Sequence, residues 1–213
     1  MPFSTFFRPP LIGPPSGGCP FPRDSPILCA NLAGRVRRNP SMLPQLPQLI
    51  PSEICLECPV CCRFPEKSAP LSPFFLPEER AQAETALGGA TGRFRCPGPS
   101  RAELVPCGHG WACTFFDPKD HKCAVYATRP LDCSMYPVAV MRSRDGEGVL
   151  LGADMKCPAL RRPEIIGKVS EHLKLVQRYL ESPPVRDLIL RHPEFVSVYQ
   201  EEVVEVRALS LGK

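Results

Sequence analysis

Apolar residues near the carboxyl end of the chain follow a helical period. Between Pro163 and Glu181 they recur at intervals of three and four residues, which places them on one face of a helix. The members of this face are Ile165, Ile166, Val169, Leu173, Val176 and Leu180. Because Pro183-Pro184 cannot continue a helix, we expect it to end there and a second short helix to cover Val185–Arg191.

Earlier segments predict one more helix and several short strands. Pro77 and the acidic residues after it are typical of a first helical turn, and this helix should run to about Leu87 and stop at Gly88-Gly89. Short strands are expected at Arg93–Cys96, Glu103–Cys107, Pro137–Met141 and Gly148–Leu151, the last two as a hairpin around Asp145-Gly146, whereas Val203–Leu209 is ambiguous. The predicted fold class is α+β, a small loop-rich metal-binding domain with short strands and C-terminal helices.

Composition divides the chain into three parts. Residues 1–50 are rich in proline and arginine without sustained periodicity, which predicts a disordered leader, and translation starting at Met42 instead is an open alternative. Residues 51–160 hold the clustered cysteines, and residues 161–213 form the helical extension.

The charge distribution gives no indication of nucleic-acid binding by the folded part. The net charge is +4, and residues 1–47 account for all of it with five arginines and one aspartate. No stretch approaches the roughly 20 apolar residues of a membrane-spanning helix, and no signal peptide is recognisable. We therefore expect a cytoplasmic, reducing location, in which clustered cysteines favour metal binding over disulfides.

Eight of the twelve cysteines follow a regular pattern. Four form the run C-x2-C-x2-C-C, and four more follow at wider intervals: Cys55, Cys58, Cys61 and Cys62, then Cys113, Cys123, Cys133 and Cys157. Thiolates are soft ligands, and eight of them suffice for two four-thiolate centres. Because Cys61 and Cys62 are adjacent, two separate centres or one polynuclear cluster explain the pair better than one mononuclear site.

The sequence around these cysteines resembles a known family. The segments are Cys55-Leu-Glu-Cys-Pro-Val-Cys-Cys62, Cys113-Thr-Phe-Phe-Asp117, Cys123-Ala-Val-Tyr126, Arg129-Pro-Leu-Asp-Cys133, Tyr136-Pro137 and Cys157-Pro158. Together they are similar to the YkgJ family of CxxCxxCC proteins, which are described as zinc- or iron-chelating. The resemblance covers about residues 53–160 and implies that the eight cysteines are the metal ligands. Cys19, Cys29, Cys96 and Cys107 lie outside the pattern. Cys96 and Cys107 flank a turn and could pair or form an extra site, but free thiols at the edge of the core are the default expectation.

Other side chains near the cysteines have two interpretations each. Arg129 either offsets the negative charge of a metal–thiolate centre or caps a turn at the surface. His109 and His121 could replace a thiol as a ligand, but solvated loop histidines are the expectation. Trp111 and Tyr126 are expected to be packing residues.

Three functions fit these observations. The first is a cytoplasmic protein with one or two thiolate-ligated centres, favoured as iron–sulfur (4Fe-4S) over zinc, in electron transfer or redox sensing with a redox or protein partner that the sequence does not identify. The second is a structural zinc module that binds a partner. The third is a metal-dependent modifying enzyme, since the flagellin lysine N-methylases carry a similar cluster. Neither nucleic acid nor a membrane is an expected partner.

Overall fold

The computed structural model describes residues 46–89, 92–94 and 101–211. They form helices and small antiparallel sheets, which confirms the predicted α+β class. Of the predicted leader, residues 1–50, only residues 46–50 fall within these ranges, and Ile50 among them is buried. None of the helices in these ranges combines the length and the apolar composition needed to cross a membrane.

Six α-helices lie within the described ranges. They are α1 (Ser52–Leu56), α2 (Pro77–Ala86), α3 (Leu131–Met135), α4 (Pro163–Ile166), α5 (Val169–Glu181) and α6 (Pro183–Arg191). Single 3₁₀ turns cover Val60–Cys62, Tyr126–Thr128, Pro158–Arg161 and Pro193–Phe195.

The strands of the described ranges form three small sheets. They are β1 (Arg63–Phe64), β2 (Leu104–Cys107), β3 (Gly110–Cys113), β4 (Phe116–Asp117), β5 (Lys122–Cys123), β6 (Val138–Arg142), β7 (Val149–Asp154) and β8 (Val203–Ala208). The sheet orders are β1-β3-β2, β4-β5 and β6-β7-β8, and every strand pair is antiparallel.

The predicted helix over Pro77–Leu87 is confirmed as α2. Its first turn is closed by the Glu79 carboxylate, which accepts a hydrogen bond of 2.9 Å from the backbone N–H of Leu76. Its end lies at Gly88 and Gly89, with φ values of +70° and +83°. Glycine adopts this left-handed conformation without steric cost, so the chain can turn away from the helix there.

The predicted helix over Pro163–Glu181 is wrong in one respect, because it is two helices. Helix α4 ends at Ile166, Gly167 caps it, and α5 begins at Val169. The N–H of Lys168 bonds the carbonyl of Ile165 at 2.9 Å, a three-residue step that interrupts the regular four-residue pattern. The apolar face nevertheless continues through α5, so the periodicity identified the buried side correctly.

The strand predictions are mostly confirmed. The hairpin around Asp145-Gly146 is β6 paired with β7, and Glu103–Cys107 contains β2. The ambiguous segment Val203–Leu209 contains strand β8. The expected strand Arg93–Cys96 lies only partly within the described residues, where Phe94 forms an isolated bridge to Ala102.

A glycine lets β8 pack closely against β7. The pairing of the two strands shifts register between Leu151 and Ala153, opposite Glu205, whose φ is +53°. A Cβ atom at Gly152 would lie 2.5 Å from Cγ1 of Val203 and 2.7 Å from the carbonyl oxygen of Val204. Any larger side chain at position 152 would therefore push the two strands apart.

The buried residues form two separate hydrophobic cores. The first core joins the β6-β7-β8 sheet to α5 and α6, with Leu151, Leu173 and Leu180 fully buried. The second core lies under the β1-β3-β2 sheet and contains three phenylalanine rings in mutual contact, with centroids 5.0 to 5.5 Å apart: Phe75, Phe94 and Phe115. Consecutive residues before α2 alternate between the cores: Phe74 and Leu76 belong to the first core, and Phe75 between them belongs to the second.

Candidate metal centre

The first four cysteines lie on two consecutive tight turns. Cys55 is in α1, and its carbonyl accepts a hydrogen bond of 3.2 Å from the N–H of Cys58. Cys61 and Cys62 are in the next 3₁₀ turn, where the N–H of Cys62 bonds the carbonyl of Pro59 at 3.2 Å. The sulfur atoms of Cys61 and Cys62 are 3.9 Å apart. The two turns thus concentrate four thiols in eight residues.

The other four cysteines come from the ends of short elements. Cys113 ends β3, Cys123 ends β5, Cys133 lies in α3, and Cys157 follows β7. All eight of these cysteines are free thiols. Strand pairing fixes two of them, since Cys113 lies opposite Leu104 and Cys123 lies opposite Phe116.

Seven of the eight thiols line one cavity of about 500 Å³. The exception is Cys157, which is buried; burial raises its pKa, and Cys58 and Cys61 are close enough to raise it further. Within the described residues, no three side chains of cysteine, histidine, aspartate or glutamate are close enough to form a ready-made metal site. The fold thus gathers the thiols, and binding a metal would require them to move closer together.

The thiols separate into two sets along the boundary between the two cores. Cys55 and Cys157 pack with the first core, and Cys55 interacts electrostatically with Cys61, Cys157 and Cys58. Cys62, Cys113 and Cys123 pack with the second core, and Cys62 interacts with Cys61, Cys113, Cys133 and Cys123. Cys61 affects members of both sets. The arrangement is consistent with the two separate centres, or the one polynuclear cluster, that the adjacent cysteines predict.

Burial keeps most of these thiols protonated. Desolvation raises the pKa of Cys55 from 9.0 to about 11 and that of Cys113 from 9.0 to about 12. The pKa of Cys61 is raised mainly by its hydrogen bond with Cys62, and then by desolvation. Since a thiol binds metal as the thiolate, metal binding at neutral pH must release protons from the site.

Two arginines lower the pKa values of nearby thiols and so oppose the effect of burial. The positive charge of Arg129 lowers the pKa of Cys55, Cys61 and Cys123, although desolvation or hydrogen bonding outweighs it at each. Arg93 acts in the same direction on Cys113. Arg129 lines the cavity, and its guanidinium carbon is 4.3 Å from the centre of the Tyr126 ring. Of the two interpretations of Arg129, its position supports the one in which it offsets thiolate charge.

A pair of carboxylates that the sequence did not single out holds the helix that carries Cys133. Glu79 of α2 accepts a hydrogen bond of 2.7 Å from the N–H of Leu131, the first residue of α3. In return, Asp132 of α3 accepts one of 2.8 Å from the N–H of Phe74. Asp132 lies near the cysteines in the sequence, but its partner is 58 residues away, so no local pattern could reveal this reciprocal pair.

The histidines and aromatic residues near the site have modest roles. His109 is exposed in the turn between β2 and β3 and does not line the cavity. His121 lines it and stacks on Phe116, with the two ring centres 6.0 Å apart. Trp111 packs against the second core, and the hydroxyl of Tyr126 accepts a hydrogen bond of 3.4 Å from Gln48.

The prediction that Cys107 is a free thiol is wrong. Cys107 is buried at the end of β2 and is disulfide-bonded. Its partner is none of the eight free cysteines described above. The sequence left a disulfide as the alternative to a free thiol at Cys107, because spacing alone does not decide between the two. Cys19, Cys29 and Cys96 lie outside the described residues.

The part of the chain that carries these cysteines matches a known protein family. The model of the family described as "CxxCxxCC: Putative zinc- or iron-chelating domain" covers residues 54–158. Residues 54–158 are a CxxCxxCC domain. The match spans all eight free cysteines and confirms the resemblance seen in the sequence. No curated protein and no solved structure matches the chain.

The residues of the CxxCxxCC domain fit the zinc or iron chemistry of its family. Its free cysteines supply the soft sulfur ligands that both metals accept. Seven of them face one cavity, and two arginines place positive charge where thiolates would form. That all eight cysteines bind metal stays a prediction.

Proposed function

We propose that the CxxCxxCC domain binds metal through eight thiolates in two sets, and that the bound centres are iron–sulfur clusters used in electron transfer or redox sensing. The observation that carries the proposal is the convergence of seven free thiols on one cavity. The first set is Cys55, Cys58, Cys61 and Cys157, and the second is Cys62, Cys113, Cys123 and Cys133.

The choice of iron–sulfur over zinc rests on the ligand type and the surroundings. The proposed ligands are all cysteines, and Cys58 and Cys157 each precede a proline, as in ferredoxin-type sites. The cavity is lined partly by apolar side chains of the second core, including Phe75 and Phe115. Bound clusters would supply one-electron transfer, and the chain would supply the ligands, positive charge and shielding from water.

The alternative is a structural zinc module. The observation that favours it is the position of the thiols between the two cores, since one set packs with each. Metal bound there would cross-link two parts of the chain that are separately packed, which is the role of structural four-thiolate zinc sites. In this case the metal would be redox-inactive and the surface would bind a partner.

Anaerobic purification followed by iron, sulfide and zinc analysis separates the two proposals. Two [4Fe–4S] clusters would give a brown protein with about eight iron and eight sulfide per chain. Two zinc sites would give a colourless protein with about two zinc per chain. A reduced protein that holds neither metal, while remaining folded, would refute both proposals.

The ligand assignment needs matched cysteine variants. Cys58→Ser should lower the metal content of the first set, and Cys123→Ser that of the second, because each removes one of four ligands. The control is Cys29→Ser, which lies outside the CxxCxxCC domain and should leave the content unchanged. Metal loss in the control equal to that in Cys123→Ser would show that the assignment is wrong.

A further inference from the structure

Three arginines lie on the thiol cavity or beside it, and each lies over an aromatic ring. A fourth, Arg101, also lines the cavity and lies over Phe74, but it donates hydrogen bonds to the backbone carbonyls of Ser72 and Glu194. Arg63 and Arg129 line the cavity itself, and Arg93 stacks on Phe115, which also lines it. The distances from guanidinium carbon to ring centre are 5.7 Å for Arg63 and Phe116, 6.0 Å for Arg93 and Phe115, and 4.3 Å for Arg129 and Tyr126. The rings hold the guanidinium groups beside the thiols at little electrostatic cost.

None of these three arginines has a carboxylate partner among the residues that the structure describes. The arginine ion pairs found there involve Arg80, Arg144 and Arg186 instead. The Nε atom of Arg63 is buried and makes no hydrogen bond. All three arginines are half-buried, although carboxylates also line the cavity: Glu66, Asp132, Asp154 and Glu202. Because a half-buried charge is stabilised by an opposite charge near it, the three arginines favour further negative charge in the cavity.

We propose that Arg63, Arg93 and Arg129 are positioning residues that offset the negative charge of the metal–thiolate centres, an inference that rests on the proposed function. Four thiolates with one zinc ion, or with one [4Fe–4S]²⁺ cluster, carry a net charge of about −2. Two such centres carry about −4, and the three guanidinium groups offset part of this charge. The balance is the same for either metal.

The three arginines differ in what else they do. Arg93 donates a hydrogen bond of 2.8 Å from Nη1 to the carbonyl of Thr114, so it also fixes the backbone after Cys113. Arg63 is part of β1 and pairs with Ala112 of β3. Arg129 follows a 3₁₀ turn, and its side chain makes no hydrogen bond to another described residue, which makes it the best position at which to test charge alone.

The test compares metal retention in Arg129→Gln, Arg129→Lys and a matched control. Arg144→Gln is the control, because Arg144 also lies over a tyrosine, Tyr199, at 4.9 Å, but is exposed and paired with Glu201 at 2.7 Å. Competition with a chelator measures affinity, and acid titration measures the pH at which half the metal is released. Arg129→Gln should weaken retention by about 10- to 100-fold, the usual effect of losing a group that supports the ligands.

If the charge of Arg129 supports the metal, it should also affect the pH at which the metal is released. Removing a cation raises the pKa of neighbouring thiols, so protons compete better and half-release should move to a higher pH in Arg129→Gln. Arg129→Lys keeps the charge and should retain most of the affinity. The comparison of the two variants remains a test even if Arg129→Gln fails to fold with metal, because rescue by lysine would still identify charge as the cause.

The outcomes separate this inference from the proposed function. If the wild-type protein binds no metal, the proposed function fails. If the wild type binds metal and Arg129→Gln retains it as well as Arg144→Gln does, the arginine inference is wrong. Equal losses in Arg129→Gln and Arg129→Lys would also overturn it, because the shape of the side chain would then matter and its charge would not.

Discussion

The half-buried carboxyl group of Glu79 should make the protein less stable as the pH rises. It accepts hydrogen bonds from the N–H groups of Leu76 and Leu131 and so joins the first turns of α2 and α3. Desolvation nevertheless raises its pKa from 4.5 to about 7, with small additions from Asp132 and Glu78, while the two hydrogen bonds oppose the increase. In the unfolded chain the group ionises near its ordinary pKa.

The two pKa values determine the size and the sign of the effect. Between 4.5 and about 7 the folded state holds the proton more firmly than the unfolded state, so the free energy of unfolding falls as the pH rises. The whole change is about 3 kcal/mol, at about 1.4 kcal/mol for each unit by which the pKa is raised. About 2 kcal/mol of it falls between about pH 5.5 and about pH 8.5.

Glu79→Gln isolates this contribution. Glutamine does not ionise, so the variant should gain about 2 kcal/mol relative to the wild type between about pH 5.5 and about pH 8.5. It also bears a constant cost of about 1–3 kcal/mol, because its amide nitrogen cannot accept the second N–H hydrogen bond. Urea unfolding of metal-saturated protein, followed by the fluorescence of Trp111, the single tryptophan, measures both.

Metal release at low pH affects both proteins alike, because they have the same thiols, and therefore cancels in the difference. Glu78→Gln is the control, since Glu78 is an exposed neighbour in the same helical turn. Its pH dependence should stay close to that of the wild type, because Glu78 is the smallest of the causes that raise the pKa of Glu79. If the curves of Glu79→Gln and the wild type run parallel, the half-buried carboxyl group does not titrate in this range and the reasoning is refuted.

Three more predictions concern packing, the leader and the metal. Gly152→Ala should lower the free energy of unfolding in urea by about 1–3 kcal/mol, because the new Cβ atom would lie 2.5 Å from a valine side chain of β8. The control is Gly167→Ala, whose Cβ atom would meet nothing closer than 3.9 Å. Equal losses of stability in the two variants would contradict the packing argument. A chain starting at Met42 should keep the metal content and melting temperature of the full chain, whereas loss of metal would assign Cys19 or Cys29 to the site. Chelation under reducing conditions should make the cysteine-bearing region sensitive to protease, since thiolate sites contribute about 10–16 kcal/mol against a typical total stability of about 5–15 kcal/mol; an apo form that resists protease equally well would show that the fold does not depend on the metal.

Local sequence patterns predicted the elements whose causes are local. The apolar period of α5, the proline and acidic residues at the start of α2, and the Asp145-Gly146 turn each identified their element. Strand β3 was missed because Gly110–Cys113 begins with glycine and contains no β-branched residue. The break at Gly167 was missed because the apolar face continues across it.

The candidate site also combines features with local causes and features with long-range causes. Cysteine spacing and the family resemblance singled out the eight free thiols, seven of which line one cavity. Spacing within a turn, as at Cys55–Cys62, is a local property that the sequence shows directly. The contacts that support the thiols are long-range. Glu79 reaches Leu131 across 52 residues, and Arg93 reaches the carbonyl of Thr114 across 21. Neither contact follows from spacing, since each depends on how separate segments pack.

The presence of two hydrophobic cores affects how the protein unfolds locally. Each core packs its own sheet, and the thiols lie where the two meet, with Cys55 and Cys157 on one side and Cys62 and Cys113 on the other. With metal bound, amide hydrogens in both sheets should exchange with deuterium through one shared global opening. After metal loss each sheet should exchange at its own rate, as an independent cooperative unit. The bound metal would then couple the two sheets, so that they unfold as one cooperative unit and not as two.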